Sequence, residues 1–310
     1  MSAKRANGFA LVATGAAIWG GDALFRRGLA LDLPASVVVF GEHVVLVVLT
    51  APMAIKALRR RPALTRADIT ALVLVGAGSS ALATVLFTQA FTYGSPTTPL
   101  LLQKLQPIFA VLGAHLLLGE RLMRKYATFF GLGFLGAYLI TFADPSYVSF
   151  DSAVAGALGV GAAALWAMGT VLGRHLSSLL SAAELTSLRF AVGLPASALI
   201  LIVDDEVSTA AGLGGSEVLA LVLLALVPGL LALAIYYRGL QTTPASAATV
   251  AELAFPLSAV VVNRVAFGDV LTATQWVGIV ILTSTIVTMT GLSSRGSRFI
   301  GVVEPSETTA

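Results

Sequence analysis

Apolar residues fill this chain in ten nearly continuous stretches, at 7–29, 34–58, 68–91, 95–118, 123–142, 151–176, 182–203, 216–239, 244–267 and 271–291. Short polar turns separate them. A helix needs roughly 20 mostly apolar residues to cross a bilayer, and the stretches have that length. The pattern predicts ten transmembrane helices in an all-α integral membrane protein whose solvent is the lipid bilayer. Little chain remains for a soluble domain. The first stretch is too long for a secretory leader, and no small-residue cleavage site closes it before Arg26-Arg27.

Composition agrees. The chain is 57% hydrophobic and 11% charged, against about 25% charged in a typical soluble domain. It has no cysteine and three scattered histidines, so no disulfide, metal site or cofactor is expected. The net charge of +3 does not suggest nucleic-acid binding, because the basic residues sit in short turns between apolar runs.

Those turns set an expected orientation, since Lys and Arg are retained on the cytoplasmic side of short loops. With the N-terminus inside, the inner segments carry Lys4, Arg5, Lys56, Arg59, Arg60, Arg61, Arg66, Arg121, Arg124, Lys125, Arg174, Arg238, Arg295 and Arg298. The outer loops then carry Arg26, Arg27 and Arg264 with the acids Asp144, Asp151, Asp204, Asp205, Glu206 and Glu217. Both termini are therefore expected in the cytoplasm, at the cell (inner) membrane. Residues 293–310 read as a polar tail, expected to be disordered.

The chain also repeats. Leu105-Gln106-Pro107 is followed by Gly119-Glu120, and Ala254-Phe255-Pro256 by Gly268-Asp269 at the same spacing. In that register Gln89 aligns with Arg238 and Gln103 with Glu252. Earlier in the chain Trp19 aligns with Trp166, Arg27 with Arg174 and Glu42 with Arg189. The expected organisation is a first five-helix repeat over 1–147 and a second over 148–292. Five is odd, so the second is inverted in the membrane. Inverted repeats characterise secondary transporters, with the substrate site near the midplane between the halves.

The segment 105–122 (LQPIFAVLGAHLLLGERL) resembles the fourth-helix signature of EamA-type members of the drug/metabolite transporter superfamily. Residues 13–20 (ATGAAIWG) and 163–166 are similar to the tryptophan-bearing first and sixth helices, and Arg189-Phe190 to an Arg-Phe pair in the seventh. One departure stands in the second helix, where Glu42-His43 occupies a place that often holds Arg-Phe. The resemblance implies a carrier of small metabolites, often amino acids, moved outward. Within the family the aromatic amino-acid exporters are the branch it resembles most.

Ionisable groups at bilayer depth are costly and mark pathways or paired networks. At 1.5 Å per residue, Asp22, Glu42 and Lys104 lie roughly 10–14 Å from the outer ends of their helices, and Arg189 and Glu252 about 10–12 Å from the inner ends. This predicts an outer cluster of Glu42, His43 and Lys104, with Asp22 able to join it or to reach water past Arg26. It also predicts an inner pair of Arg189 and Glu252. Each set reads either as part of the pathway or as a structural ion pair. Proton coupling through Glu42 or His43 stays open beside a permanent Glu42–Lys104 bridge.

Trp19 and Trp166 sit mid-helix, where each either stacks on an aromatic or cationic solute or packs with its N–H on a carbonyl. Gln103 and Gln106 are expected to face a polar cavity. Tyr236 and Tyr237 read as an interfacial belt, and His115 and His175 as ordinary helix-end residues. Pro107 and Pro256 interrupt their helices and read as either hinges or static bends. Glycine-rich runs at 76–81 and 156–161 suit close helix contacts.

The expected partner is a small-molecule substrate, with oligomeric state open. Two rivals are weaker. A lipid-linked transferase would want a carboxylate-rich or metal-binding face, and Asp204-Asp205-Glu206 lacks a partner motif. A channel would want rings of like residues from symmetric subunits. No P-loop suggests ATP-driven transport.

Overall fold

A backbone in hydrocarbon must satisfy its own hydrogen bonds, so apolar runs of this length form helices. The computed structural model describes residues 3–60, 63–118, 125–176, 179–240, 251 and 254–297, and among these there is no strand. Six helices are long and apolar enough to cross a membrane: Gly8–Asp32, Ala35–Arg60, Arg66–Ala90, Phe150–Gly173, Ala182–Val203 and Gly215–Tyr236. They correspond to the first, second, third, sixth, seventh and eighth predicted crossings. The fifth is Lys125–Thr141 and the tenth Ala273–Ser297. Of the ninth, Ala254–Phe267 is described. The protein is an all-α, multi-span membrane protein.

Several crossings are broken. The first turns at Gly21 and Asp22, between Ala3–Gly20 and Ala23–Asp32. The fourth consists of Thr97–Leu102, a 3-10 turn at Gln103–Leu105 and then Gln106–Leu118. The third and eighth contain π-helical segments, Leu74–Leu82 and Ala225–Leu231. When Pro107 is aligned with Pro256, the last residues of these two segments, Leu82 and Leu231, also align.

Two boundaries differ from expectation. The first crossing runs on to Asp32, so Arg26 and Arg27 lie inside a helix and not in an outer loop. The last helix runs through Arg295 to Ser297, beyond the expected start of the tail. Residues 298–310 lie outside the described residues.

Helices pack mainly across the two halves of the chain. The first crossing packs on the eighth and ninth, and the second on the seventh and eighth. The third packs on the sixth and seventh, the fourth on the sixth, and the fifth on the tenth. Exchanging halves, first for sixth and so on, maps these pairs onto one another. The halves are thus interleaved, not set side by side.

Glycine allows the tightest approaches. A Cβ on Gly20 would overlap Ser258 Oγ and the Phe255 carbonyl of the ninth crossing. One on Gly278 would lie 2.8 Å from the Gly136 carbonyl, where the fifth and tenth cross. One on Gly76 would meet Val192 at 2.5 Å, so the expected use of that glycine run holds. Small residues set helix association where lipid supplies no hydrophobic drive between helices.

Each end of the bundle carries polar ties. Thr65 and Asp68 form a capping box at the start of the third crossing, and Ser181 and Glu184 another at the seventh. Both capping acids also reach across halves. His175 Nε2 lies 2.7 Å from Asp68 Oδ1, and Arg60 Nη1 donates to Glu184 Oε2 at 2.9 Å. His175, expected to be an ordinary helix-end residue, is therefore a cross-helix partner. At the other end Ser95 Oγ donates to Asp269 Oδ2 at 2.6 Å, Thr97 Oγ1 donates to the same oxygen, and Asn263 Nδ2 donates to Thr97 Oγ1 at 3.0 Å. A cavity of about 220 Å³ opens there, lined by Ser95, Thr98, Thr141, Asp269, Thr272 and Gln275 among others.

Candidate functional site

The interleaving brings Trp19, Trp166, Phe87, Phe91 and Phe255 into one apolar cluster, built by the first, third, sixth and ninth crossings. Trp166 meets Phe87 at a centroid distance of 5.1 Å, and Phe87 meets Phe91 at 5.1 Å, both edge-on. Trp19 meets Tyr236 of the eighth crossing at 5.0 Å. Tyr236 therefore belongs to this seam and not to an interfacial belt; the Tyr237 side chain is outside the described residues. Edge-to-face rings at these distances attract beyond their area burial.

The helix breaks place polar groups along the seam. The Trp19 indole N–H donates to the Pro228 carbonyl at 2.9 Å, inside the π segment of the eighth crossing. Such a segment departs from the i→i−4 ladder and is frequent at functional sites. Lys104, in the 3-10 turn of the fourth crossing, sets its Nζ 4.0 Å from the Phe255 ring centroid. That is cation–π range. Gln103 opens the same turn and is half-buried. Gln106 donates from Nε2 to Thr170 Oγ1 at 3.0 Å, tying the fourth crossing to the sixth. Pro107 lies in the first turn of Gln106–Leu118, just after the 3-10 turn, and Pro256 lies within Ala254–Phe267. For Pro107 the early helical position hides the missing N–H.

The charged residues pair differently from expectation. Arg26, Asp22 and Glu42 are 4%, 7% and 7% exposed. Arg26 donates from Nε and Nη2 to the two Asp22 oxygens at 2.7 and 3.2 Å. It donates from Nη1 to Glu42 Oε2 at 3.1 Å and to Thr88 Oγ1 at 2.9 Å, and its guanidinium lies 5.5 Å from the Phe87 ring. So Glu42 takes Arg26 and not Lys104 as its ionic partner, and Asp22 does not reach water. The reason is packing. The second crossing lies against the seventh and eighth, while Lys104 on the fourth turns toward the ninth.

His43 sets Nδ1 2.8 Å from the Val39 carbonyl and Nε2 3.1 Å from Ser80 Oγ. A carbonyl only accepts, so Nδ1 carries a proton, and the ring is satisfied as a neutral imidazole. Gly193 of the seventh crossing leaves room for it, and Phe190 meets it edge-on at 6.1 Å. Arg189 stands beside Phe190, with its guanidinium 5.6 Å from that ring. The expected Arg189–Glu252 pair involves Glu252, which lies outside the described residues.

Phe87, Phe91, Thr88 and Thr170 escaped the sequence reading, as did the roles of Arg26 and Pro228. Arg26 looked like a loop residue because Arg26-Arg27 seemed to close the first crossing; its i, i+4 spacing from Asp22 was the available signal. Pro228 carried no signal beyond being a proline in an apolar run. Among the described residues no group of three or more His, Asp or Glu side chains could hold a metal ion.

Known proteins fit this architecture. The sequence profile described as "EamA-like transporter family" matches twice, over residues 6–142 and 154–291. The chain is 30% identical over 300 residues to the riboflavin transporter ImpX of Fusobacterium nucleatum, covering 92% of this chain and 98% of that one. One solved crystal structure superposes with a TM-score of 0.58 at 16% identity, covering 93% of this chain and 98% of the other, a likeness of fold alone. The two profile matches together span nearly the whole chain, and this membrane protein belongs to the EamA-like transporter family.

Proposed function

We propose that the chain is a secondary carrier, not an enzyme, and that it moves a small, flat, aromatic solute by alternating access along the seam. The aromatic seam between the halves carries the reading: Trp19, Trp166, Phe87, Tyr236 and Phe255 offer ring faces at the repeat interface. The rings touch one another, so a solute enters by parting them. Riboflavin is the first candidate, because a relative bears that name and its ring system is flat and uncharged. Both described acids near the seam, Asp22 and Glu42, are held by Arg26, which favours a neutral ring over a zwitterion. Aromatic amino acids are the second reading, supported by the Lys104 ammonium beside Phe255, where a carboxylate would be attracted.

In this reading the halves 1–147 and 148–292 are inverted repeats. Support comes from the doubled profile match, the half-exchange symmetry of helix packing and the aligned ends of the π segments. The termini lie in the cytoplasm of a cell with this protein in its inner membrane. With Arg26 and Arg27 inside the first crossing and Arg264 inside Ala254–Phe267, the described outer loops carry no Lys or Arg, which sharpens the charge bias. Gln103, Gln106, Trp19, Trp166 and Lys104 line the pathway, with Pro107 and Pro256 at its hinges.

Proteoliposomes loaded with riboflavin and given labelled riboflavin outside, without ATP, are expected to show saturable counterflow. Tryptophan tested in parallel separates the two substrate readings. Formation of a chemically altered product, or a flux that never saturates, would refute the carrier. Net efflux from preloaded vesicles tests export, the direction implied by the family resemblance.

A further inference from the structure

The turn between the second and third crossings carries more positive charge than the described acids around it neutralise. Ala35–Arg60 ends with Lys56, Arg59 and Arg60, and Arg66 opens Arg66–Val73. The acids at this end are already held. Glu184 accepts from Arg60 at 2.9 Å and from the Ser181 N–H and hydroxyl at 2.9 and 2.8 Å. Asp68 accepts from the Thr65 N–H and hydroxyl at 2.8 and 2.7 Å and lies 2.7 Å from His175 Nε2. Lys56, Arg59 and Arg66 are exposed, and their side chains make no ion pair with a described residue. Arg59, in the last turn of its helix, complements the dipole there. Arg66 does the opposite: it sets a cation at a helix N-terminus, where the dipole disfavours it. Helix stability therefore does not account for Arg66.

Position gives the patch its partner. The second and third crossings end and begin here, at Arg60 and Arg66, so the cations stand at the level of lipid headgroups. Ala57 packs inward with Ala71, Leu72 and Val75, which holds the two helix ends together. Beside the cations each helix turns apolar side chains outward. Ile55, one turn before Arg59, is 49% exposed; Ile69 and Val73, three and seven residues after Arg66, are 51% and 45% exposed. Those spacings put each cation at the surface end of a lipid-facing stripe. We propose that Lys56, Arg59 and Arg66 form a docking site for the phosphate headgroup of an anionic phospholipid, with its acyl chains along Ile55, Ile69 and Val73. The phosphate supplies the negative charge that no described acid provides, and arginine binds it through two parallel N–H groups. A lipid fits better than free phosphate, because its chains cover the outward apolar faces while its phosphate reaches the cations. Arg60, in the same turn, holds Glu184 of the seventh crossing, so a bound headgroup steadies the second crossing beside that tie.

Lipid binding to the purified protein in a nonionic detergent tests this, whatever solute the protein carries. Phosphatidylglycerol and phosphatidylcholine with the same acyl chains are titrated separately, and bound lipid is counted by native mass spectrometry. Wild type is expected to retain phosphatidylglycerol in preference, and the preference to fall as salt is raised. Lys56→Gln, Arg59→Gln and Arg66→Gln combined are expected to weaken phosphatidylglycerol binding on the order of a hundredfold, about fivefold per residue. Phosphatidylcholine binding should not change. Equal retention of the two lipids by wild type overturns the proposal, as does a preference indifferent to salt or undiminished in the triple variant. Displacement of phosphatidylglycerol by inorganic phosphate at the same concentration also overturns it, since the site would then be one for a free anion.

Discussion

At the scale of single residues, the buried Arg26 guanidinium is held by acceptors from three side chains. Arg26 spends its donors on Asp22, Glu42 and Thr88. Replacing it with leucine would leave two carboxylates without a counter-charge, a loss of about 3–5 kcal/mol for a broken buried pair. Arg26→Leu is expected to lower the melting temperature in detergent sharply, and an unchanged melt would mean the acids are not buried together. Trp19 makes a gentler test. Trp19→Phe keeps a ring in the seam but leaves the Pro228 carbonyl without its donor. Leaving a buried acceptor unsatisfied costs about 1–3 kcal/mol. A fluorescence or calorimetric melt should show that loss in Trp19→Phe. Equal stability would mean that water replaces the indole.

At the scale of elements, polar groups meet the aromatic seam where helices stop being regular. The prolines at 107 and 256 were visible in the sequence, and the structure shows what the first accompanies: a 3-10 turn that aims Lys104 at Phe255. The π segments were not visible, because an inserted residue leaves no mark in an apolar run that matches a helix of any pitch. The turn at Gly21 and Asp22 was hidden likewise, with apolar residues continuing on both sides. Pro107 follows the 3-10 turn, so its missing N–H costs little there. Pro107→Ala is expected to change stability by less than about 1 kcal/mol yet to slow counterflow several-fold, by letting the helix close over the turn. A normal rate in Pro107→Ala would show that the bend is set by packing alone.

At the scale of the whole molecule, the interleaved halves are tied at both ends by different chemistry. Arg60–Glu184 and His175–Asp68 close one end; Ser95, Thr97 and Asn263 with Asp269 close the other. Alternating access requires these ties to break in turn. The Arg60 side chain is 57% exposed, so its pair contributes little to stability, and its value lies in registering the second crossing on the seventh. The chain has no cysteine, so orientation can be measured without background. A cysteine at Asp204 is expected to react with an impermeant maleimide outside intact cells, and one at Arg60 to remain unlabelled. The reverse pattern would invert the topology.

The sequence by itself determined the solvent and the fold class. Hydropathy requires membrane-spanning helices because lipid offers no partner to a bare backbone, and that argument needs only composition and length. The paired Trp19 and Trp166 and the repeated prolines located the seam, since repetition in a chain is a linear property. Pairing was beyond its reach. Depth counted along each helix put Glu42 and Lys104 in one layer, but depth says nothing of which helices are neighbours. Only the tertiary structure decided that the second crossing packs on the seventh and eighth. It also gave Arg26 to Asp22 and Glu42, and Lys104 to Phe255. Ion pairs act over a few ångströms, and that distance is set by how the helices are arranged around one another.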